Sequence, residues 1–107
     1  MGEYNVFISE PAEQDLNEIF FHISTRFHAQ TTAENMLIAI HQTMLSLKHM
    51  PKRNPLVDDT FLKNLGFRIQ LIKNYLIFYS VADLLPLEVN IERVLYNKRN
   101  WRYILNP

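Results

Sequence analysis

The sequence contains no cysteine, and only two of its 107 residues are glycine. Without cysteine the chain forms neither a disulfide framework nor a thiolate metal site, which is compatible with a reducing compartment. Gly2 and Gly66 are too few for a glycine-rich loop that cradles phosphate groups. The composition therefore excludes disulfide-stapled domains and proteins that bind nucleotides through such a loop.

Two longer patterns are also missing. No apolar stretch approaches the roughly 20 residues that a membrane helix requires, and Met1–Val6 has no basic start of the kind that opens a secretory signal. We therefore expect a cytoplasmic protein without membrane contact. The length predicts a single domain, residues 1–107. The four histidines lack metal-ligand spacing, so we expect no metal and no cofactor.

The formal net charge is zero, but the charges are unevenly distributed. Residues 1–47 contain one cation, Arg26, and six acidic residues, whereas residues 48–107 contain ten cations and five acidic residues. Such asymmetry indicates either a basic face for an anionic partner or two solvated halves that differ by chance. Composition leaves both interpretations open.

The first 50 residues predict a strand and two helices. Tyr4–Ser9 alternates as a short strand, and Ser9 can cap a helix over 10–27 whose apolar residues recur at helical spacing. A second helix is expected to begin with a capping box formed by Thr31 and Glu34 and to end at Pro51. Two helices with a brief link form an antiparallel hairpin that needs a sheet to pack against.

The remaining chain predicts a three-stranded antiparallel meander over 66–73, 75–81 and 87–96. These runs are rich in β-branched and aromatic residues, and Lys73-Asn74 suits a tight turn because Asn tolerates a positive φ. Asp58-Asp59, in the irregular stretch before the meander, is expected to form a turn or a helix cap. Strict alternation would place Arg93 on an apolar face, so the last strand contains either a β-bulge or a partly exposed pocket at Arg93. The expected class is α+β.

Four local patterns in this order resemble the RelE/ParE superfamily of toxins. They are Tyr4-x-Val6-x-Ile8-Ser9 with Pro11-Ala12-Glu13-x-Asp15-Leu16, Leu47-x-x-x-Pro51, Gly66-Phe67-Arg68 with Asn74-Tyr75-Leu76-Ile77-Phe78-Tyr79, and the ending Arg93-Val94-Leu95-Tyr96-Asn97-Lys98-Arg99-Asn100-Trp101. The helical hairpin and this ending look more like the ParE branch.

The resemblance implies a toxin of a type II toxin–antitoxin module, also described as a plasmid stabilisation system, that a cognate antitoxin holds inactive. ParE-like members inhibit DNA gyrase by binding, and this is the expected function. The first alternative is the chemistry of RelE-like members, which cleave messenger RNA on the ribosome without a metal. The second alternative is a detoxified binding module. The assembly expected is a homodimer or a hetero-oligomer with the antitoxin.

The resemblance also implies candidate site residues. For a ribonuclease these are Arg68 and Arg93, whose guanidinium groups can hold a phosphate, with Tyr96 and Tyr103 for proton transfer or base stacking. Tyr96 stands where many relatives have His, and this departure weakens the nuclease interpretation because phenol is a poor base near neutral pH. Cations beside aromatic rings suit RNA or a protein partner equally. The candidate binding residues are Lys52, Arg53, Lys98, Arg99, Trp101 and Arg102.

Overall fold

The computed structural model describes residues 3–106 and shows an α+β fold around one four-stranded sheet. The strands are β1 (Asn5–Ile8), β2 (Arg68–Ile72), β3 (Tyr75–Ala82) and β4 (Glu88–Tyr96), in the order β1-β4-β3-β2. The predicted antiparallel meander is confirmed, and β1 adds to it in parallel beside β4. Within the described residues, no helix is both long and apolar enough to cross a membrane. The domain limits 1–107 stay a prediction, because Met1, Gly2 and Pro107 lie outside the described residues.

Ser9 joins the first strand to the first long helix, α1 (Glu10–Arg26). Its hydroxyl oxygen accepts a hydrogen bond from the backbone N–H of Ala12 at 3.1 Å, so the predicted helix cap is confirmed. The same hydroxyl donates to the backbone carbonyl of Glu92 at 2.8 Å. One side chain therefore fixes the start of α1 against β4.

The predicted capping box of the second helix, α2 (Gln30–Ser46), is wrong. The cap position is Ala29, which offers no side-chain hydrogen bond, and Thr31 already lies inside the first turn. Glu34 instead accepts a hydrogen bond from the side-chain amide of Gln30 at 3.2 Å. The helix also ends at Ser46, well before Pro51, and the chain then turns through Met50 in a left-handed conformation, with φ at 50°. In the predicted tight turn after β2, the left-handed residue is Lys73 rather than Asn74, with φ at 52°.

A β-bulge in β4 determines which side chains of the last strand face the core. Phe78 pairs with Arg93 and Tyr79 with Ile91, so Glu92 is an extra residue opposite β3. The extra residue brings Ile91 before the bulge and Val94 after it into the same buried core. The bulge that the sequence allowed as one of two alternatives is thus confirmed.

The main core lies between this sheet face and the helical hairpin. From the sheet, Tyr75, Ile77 and Tyr79 of β3 pack with Val89, Ile91 and Val94 of β4. From the hairpin they meet Ala12, Leu16, Ile40 and Met44.

Two short helices, α3 (Thr60–Asn64) and α4 (Trp101–Leu105), accompany the other sheet face. The Trp101 ring packs against fully buried Phe78, which points away from Ile77 and Tyr79 along the pleat, with ring centroids 5.3 Å apart. Asp59 caps α3 by accepting from the N–H of Leu62 at 3.1 Å, which confirms the expected cap. Asp59 also accepts a hydrogen bond from Asn106 at 3.2 Å, so the start of α3 lies beside the end of α4.

Candidate functional site

Arg93 is held by a carboxylate on α1. Its Nε lies 2.7 Å from Asp15 Oδ2 and its Nη2 lies 2.9 Å from Asp15 Oδ1. The backbone N–H of Val94 also donates to Asp15 Oδ2 at 2.9 Å, and Asp15 is only 4% exposed. This hydrogen bonding to Asp15 raises the pKa of Arg93 above its ordinary value. Asp15 of α1 is therefore the structural partner of Arg93, one of the predicted site residues.

Arg68 lies on the other side of β3 and is also engaged within the protein. It pairs with Tyr79 across the sheet, while Arg93 pairs with the adjacent Phe78. The guanidinium of Arg68 donates to the backbone carbonyl of Asn54. The backbones of the two arginines are therefore separated by two strand spacings, or about 10 Å.

The hydroxyl of Tyr79 completes a buried network near Arg68. It donates to the carbonyl of Pro51 at 2.6 Å and accepts from the side-chain amide of Asn54 at 3.1 Å. Burial raises the pKa of this phenol above its ordinary value. Tyr79 is fully buried, so the network is structural and offers no open surface.

The candidate binding residues Lys52 and Arg53 also bond to neighbouring side chains. Arg53 donates to Ser46 Oγ at 2.7 Å and to Gln70 Oε1 at 3.1 Å. Lys52 forms an ion pair with Asp83, and the hydrogen bond from Lys52 lowers the pKa of that carboxyl. The basic face is thus divided, because Lys52 and Arg53 bond to residues of α2, β2 and the loop after β3, whereas Lys98, Arg99 and Arg102 follow β4 in the chain.

The two tyrosines predicted for proton transfer lie on different elements of the fold. Tyr96 pairs with Tyr75 at the start of β3, and their rings meet edge-on with centroids 5.8 Å apart. Tyr103 is 79% exposed on α4, whose Trp101 covers the opposite sheet face. The structure therefore brings neither tyrosine beside Arg68 and Arg93.

The predicted binding residues near the end of the chain remain on the surface. Trp101 is half-buried, and the guanidinium carbon of Arg102 stands 4.2 Å from its ring centroid. Lys98 and Arg99 are exposed, and within residues 3–106 their side chains form no hydrogen bond or ion pair. A solvent-facing group of cations beside a tryptophan is thus confirmed as a structural feature, while its binding role stays a prediction.

A groove of about 780 Å³ opens between α1 and the end of the sheet where β3 begins and β4 finishes. The backbone bond from Asn97 N–H to the Asn74 carbonyl, at 2.8 Å, holds the chain after β4 against the turn between β2 and β3. The groove walls include His22, Arg26, Phe27, Tyr96 and Arg99. Sequence reasoning identified Tyr96 and Arg99 but missed His22 and Arg26 of α1 and Phe27, which follows the helix. The sequence feature that could have indicated this wall of the groove was Arg26, because it is the lone cation of residues 1–47 and lies in the last turn of α1.

The polar groups of the candidate site do not lie together in one cluster. Arg68 and Arg93 lie on the two strands that flank β3, Tyr96 ends β4 opposite the start of β3, and Tyr103 lies on α4. Among residues 3–106, no group of three His, Asp or Glu side chains could hold a metal ion. The groove instead combines apolar side chains with both cations and acidic residues in its lining.

Comparison with known proteins agrees with this architecture. A solved structure described as a chromosomal ParDE TA system from P. aeruginosa superposes with a TM-score of 0.72 over 88% of this chain and 96% of the other. The sequence identity is 14%, so the likeness establishes the fold alone. No curated protein matches the sequence. The family described as "ParE toxin of type II toxin-antitoxin system, parDE" matches residues 6–101, and this chain therefore belongs to the ParE toxin family.

Proposed function

We propose that this toxin acts in the cytoplasm by binding DNA gyrase, and that a cognate antitoxin neutralises it by covering its exposed surface. The observation that supports binding over RNA cleavage is the dispersal of the four candidate catalytic side chains. Arg93 is held by Asp15, and Arg68 by the Asn54 carbonyl.

Metal-free RNA cleavage requires a base near the 2′-hydroxyl and cations at the neighbouring phosphate, with each contact at about 3 Å. Arg68 pairs with Tyr79 of β3, and Tyr96 pairs with Tyr75 of the same strand. Tyr75 and Tyr79 are four residues, or about 13 Å, apart along β3. Tyr103 belongs to α4, whose Trp101 packs on the other sheet face. One phosphodiester therefore could not contact all of these groups in this arrangement.

Exposed leucines favour a protein partner, and the cations and aromatic rings near the end of the chain are compatible with one. Arg, Trp and Tyr side chains dominate the binding energy of many protein interfaces, and Arg99, Trp101 and Tyr103 stand within five residues of one another. The loop between β3 and β4 adds Leu84 and Leu85, which are 86% and 88% exposed. Apolar side chains as exposed as these are typical of a surface that binds another protein.

The direct test adds the purified toxin to gyrase and relaxed plasmid and measures supercoiling. We expect loss of supercoiling or trapped cleaved DNA, and the same toxin mixed with its antitoxin serves as the inactive control. Parallel reactions contain ribosomes with bound messenger RNA. Cleaved RNA with unaffected supercoiling would favour the RelE-like alternative, and normal growth of cells expressing the toxin alone would favour a detoxified module.

Two conservative variants separate binding from proton transfer. Tyr96→Phe and Tyr103→Phe each remove one hydroxyl and retain the ring. We expect both variants to keep toxicity, since an inhibitor that binds through aromatic surface does not need an ionisable phenol. A folded variant that loses toxicity through the loss of one hydroxyl would contradict the binding mechanism.

A further inference from the structure

The side of β1 that faces away from β4 is an open edge of the sheet. The backbone N–H groups of Asn5 and Ser9 donate towards β4, to carbonyl oxygens 3.0 Å away in both cases. Because alternate residues of a strand bond to the same neighbour, Val6 and Ile8 direct their N–H and C=O groups away from β4. In residues 3–106 these four groups have no hydrogen-bond partner, and no strand lies beyond β1. Such an edge is a template for pairing with another strand.

The opposite edge of the sheet, formed by β2, is partly covered by the chain itself. Just before β2, the N–H of Val57 donates to the carbonyl of Phe67 at 2.9 Å. Within β2, the side-chain amide of Gln70 donates to the carbonyl of Leu71 at 3.0 Å. Edge strands whose backbone groups are engaged in this way are poor sites for strand addition. Of the two edges in the described part of the chain, β1 is therefore the more open.

We infer that two copies of the toxin pair their β1 strands antiparallel about Phe7 and form a two-fold symmetric homodimer. In this register, Val6 of each copy lies opposite Ile8 of the other. The two pairs form four backbone hydrogen bonds, because both residues direct their N–H and C=O groups outward. The two Phe7 residues meet at the symmetry axis with Cα atoms about 4.5 Å apart. Phe7 is 50% exposed in one copy, so the ring pair covers apolar surface that water otherwise contacts.

The charges at the two ends of this edge favour a second copy over an unrelated extended peptide. Lys48 lies at the Tyr4 end, because its carbonyl accepts from the N–H of Tyr4 at 3.1 Å, and its ammonium group forms no ion pair within residues 3–106. Glu10 and Glu13 are exposed in the first turn of α1, directly after the Ile8 end. Antiparallel pairing places the Tyr4 end of each copy beside the Ile8 end of the other. Each Lys48 therefore faces the acidic turn of its partner, and the match occurs twice.

The size of the pairing predicts a weak dimer. Val6–Ile8 is a short strand segment, whereas a standard stable interface buries about 800 Å² on each partner. The exposed carboxylate of Glu3 also lies at the Tyr4 end, 3.2 Å from His49, and opposes the acidic turn of the other copy. We therefore expect a dissociation constant of about 10–100 µM rather than a nanomolar value.

Sedimentation equilibrium of the purified full-length toxin, from about 5 to about 500 µM, measures this association. The test variant is Phe7→Lys, which places two like charges opposite each other at the axis. Leu71→Lys is the matched control, because Leu71 is 57% exposed on the other edge strand. Leu71 and Phe7 share a sheet face, since their register partners on β3, Leu76 and (through β4) Ser80, are four residues apart. We expect Phe7→Lys to weaken the dimer at least about tenfold, and the control to stay within about twofold of the wild type.

A charge exchange tests the register. Lys48→Glu and Glu10→Lys each place like charges across the dimer, and each should weaken association about three- to tenfold. The double variant restores opposite charges between the copies and should return to within about twofold of the wild type. Rescue of this kind requires the two positions to face each other, which a merely structural effect of either change would not produce. Circular dichroism and urea unfolding establish that every variant is folded.

Three outcomes would overturn the inference. The first is a toxin that stays monomeric at about 500 µM. The second is a dimer that Phe7→Lys leaves as tight as Leu71→Lys does, or that the charge exchange fails to rescue, because the copies then meet at another surface. The third is a monomeric toxin whose complex with the neighbouring gene product is weakened by Phe7→Lys, which would assign the edge to a strand of that protein. The measurements of mass use the toxin alone, so their failure leaves the proposed action on gyrase unaffected.

Discussion

The carboxylate of Asp15 accepts three hydrogen bonds, two from the guanidinium of Arg93 and one from the backbone N–H of Val94. These bonds join the first long helix to the bulge in the last strand. The carboxylate is almost wholly buried, whereas the Arg93 side chain is 27% exposed. A charged group in this position is stable only while its partners remain.

Asp15→Ala should lower the free energy of unfolding by about 2–3 kcal/mol. Breaking a buried ion pair costs roughly 3–5 kcal/mol, and the partial exposure of Arg93 reduces that loss. Urea unfolding measures the change. Glu18→Gln is the control, since Glu18 is an exposed acid of the same helix and should change stability by no more than about 0.5 kcal/mol.

Arg93→Ala and the double variant with Asp15→Ala test whether Arg93 acts through this pair. We expect the double variant to be more stable than the sum of the two single losses predicts, with a coupling of about 1–3 kcal/mol. Additive losses would show that the two side chains stabilise the fold independently. Toxicity that disappears in folded Arg93→Ala but persists in folded Asp15→Ala would assign Arg93 a direct role at the target.

Tyr79→Phe should destabilise the protein by about 1–3 kcal/mol. The change leaves the Pro51 carbonyl and the Asn54 amide without the hydroxyl that both contact. Tyr75→Phe is the matched control, because Tyr75 is a buried tyrosine of the same strand whose hydroxyl has no hydrogen-bond partner among residues 3–106. Chemical denaturation that gives equal losses for the two variants would contradict the role assigned to this network.

Trp101→Ala should cost about 2–3 kcal/mol, because it removes the ring that covers buried Phe78. The value lies below that for a fully buried tryptophan, since Trp101 is half-exposed. Tyr103→Ala alters the same helix at an exposed position and should leave the urea midpoint nearly unchanged. A large loss for Tyr103→Ala would instead indicate that α4 packs through its other side.

Acid should weaken the attachment of α3 and α4. The hydrogen bond from the Leu62 N–H lowers the pKa of Asp59, and the Asn106 amide adds to this effect. A carboxyl with a lowered folded-state pKa stabilises the fold above its unfolded pKa of about 3.9, and this stabilisation is lost as the pH falls through the folded value. Asp59→Asn keeps a capping oxygen without the charge. As the pH falls from about 6 to about 3, we expect the urea midpoint of the wild type to fall towards that of Asp59→Asn. Midpoints that change in parallel with pH would contradict this.

Much of the scaffold could be predicted from the sequence because local chemistry determines it. Apolar periodicity gave both long helices, the β-rich runs gave the meander, and Ser9 and Asp59 act as caps in the structure. The Thr31 capping box failed because one residue of displacement moves a hydroxyl from the cap into the first turn. α4 was missed because a five-residue helix depends on tertiary packing, here of Trp101 on Phe78.

The candidate site was less predictable, since its geometry depends on contacts between distant segments. Asp15 and Arg93 are 78 positions apart, and no local pattern identifies their pairing. A usable signal was present, because Asp15 falls between Ala12 and Ile19 on the apolar side of α1, where a carboxylate requires a partner. The separation of the cations into two groups likewise follows from strand register, which composition does not encode.

The position of β1 at the sheet edge beside β4 affects how the chain folds during translation. Ser9 and its partner Glu92 are separated by 83 positions, so the first strand has nothing to pair with until the ribosome has released the last one. Closing so long a loop late is slow relative to forming the helical hairpin. A nascent chain therefore stays without its finished sheet until β4 has been synthesised, 83 positions after Ser9.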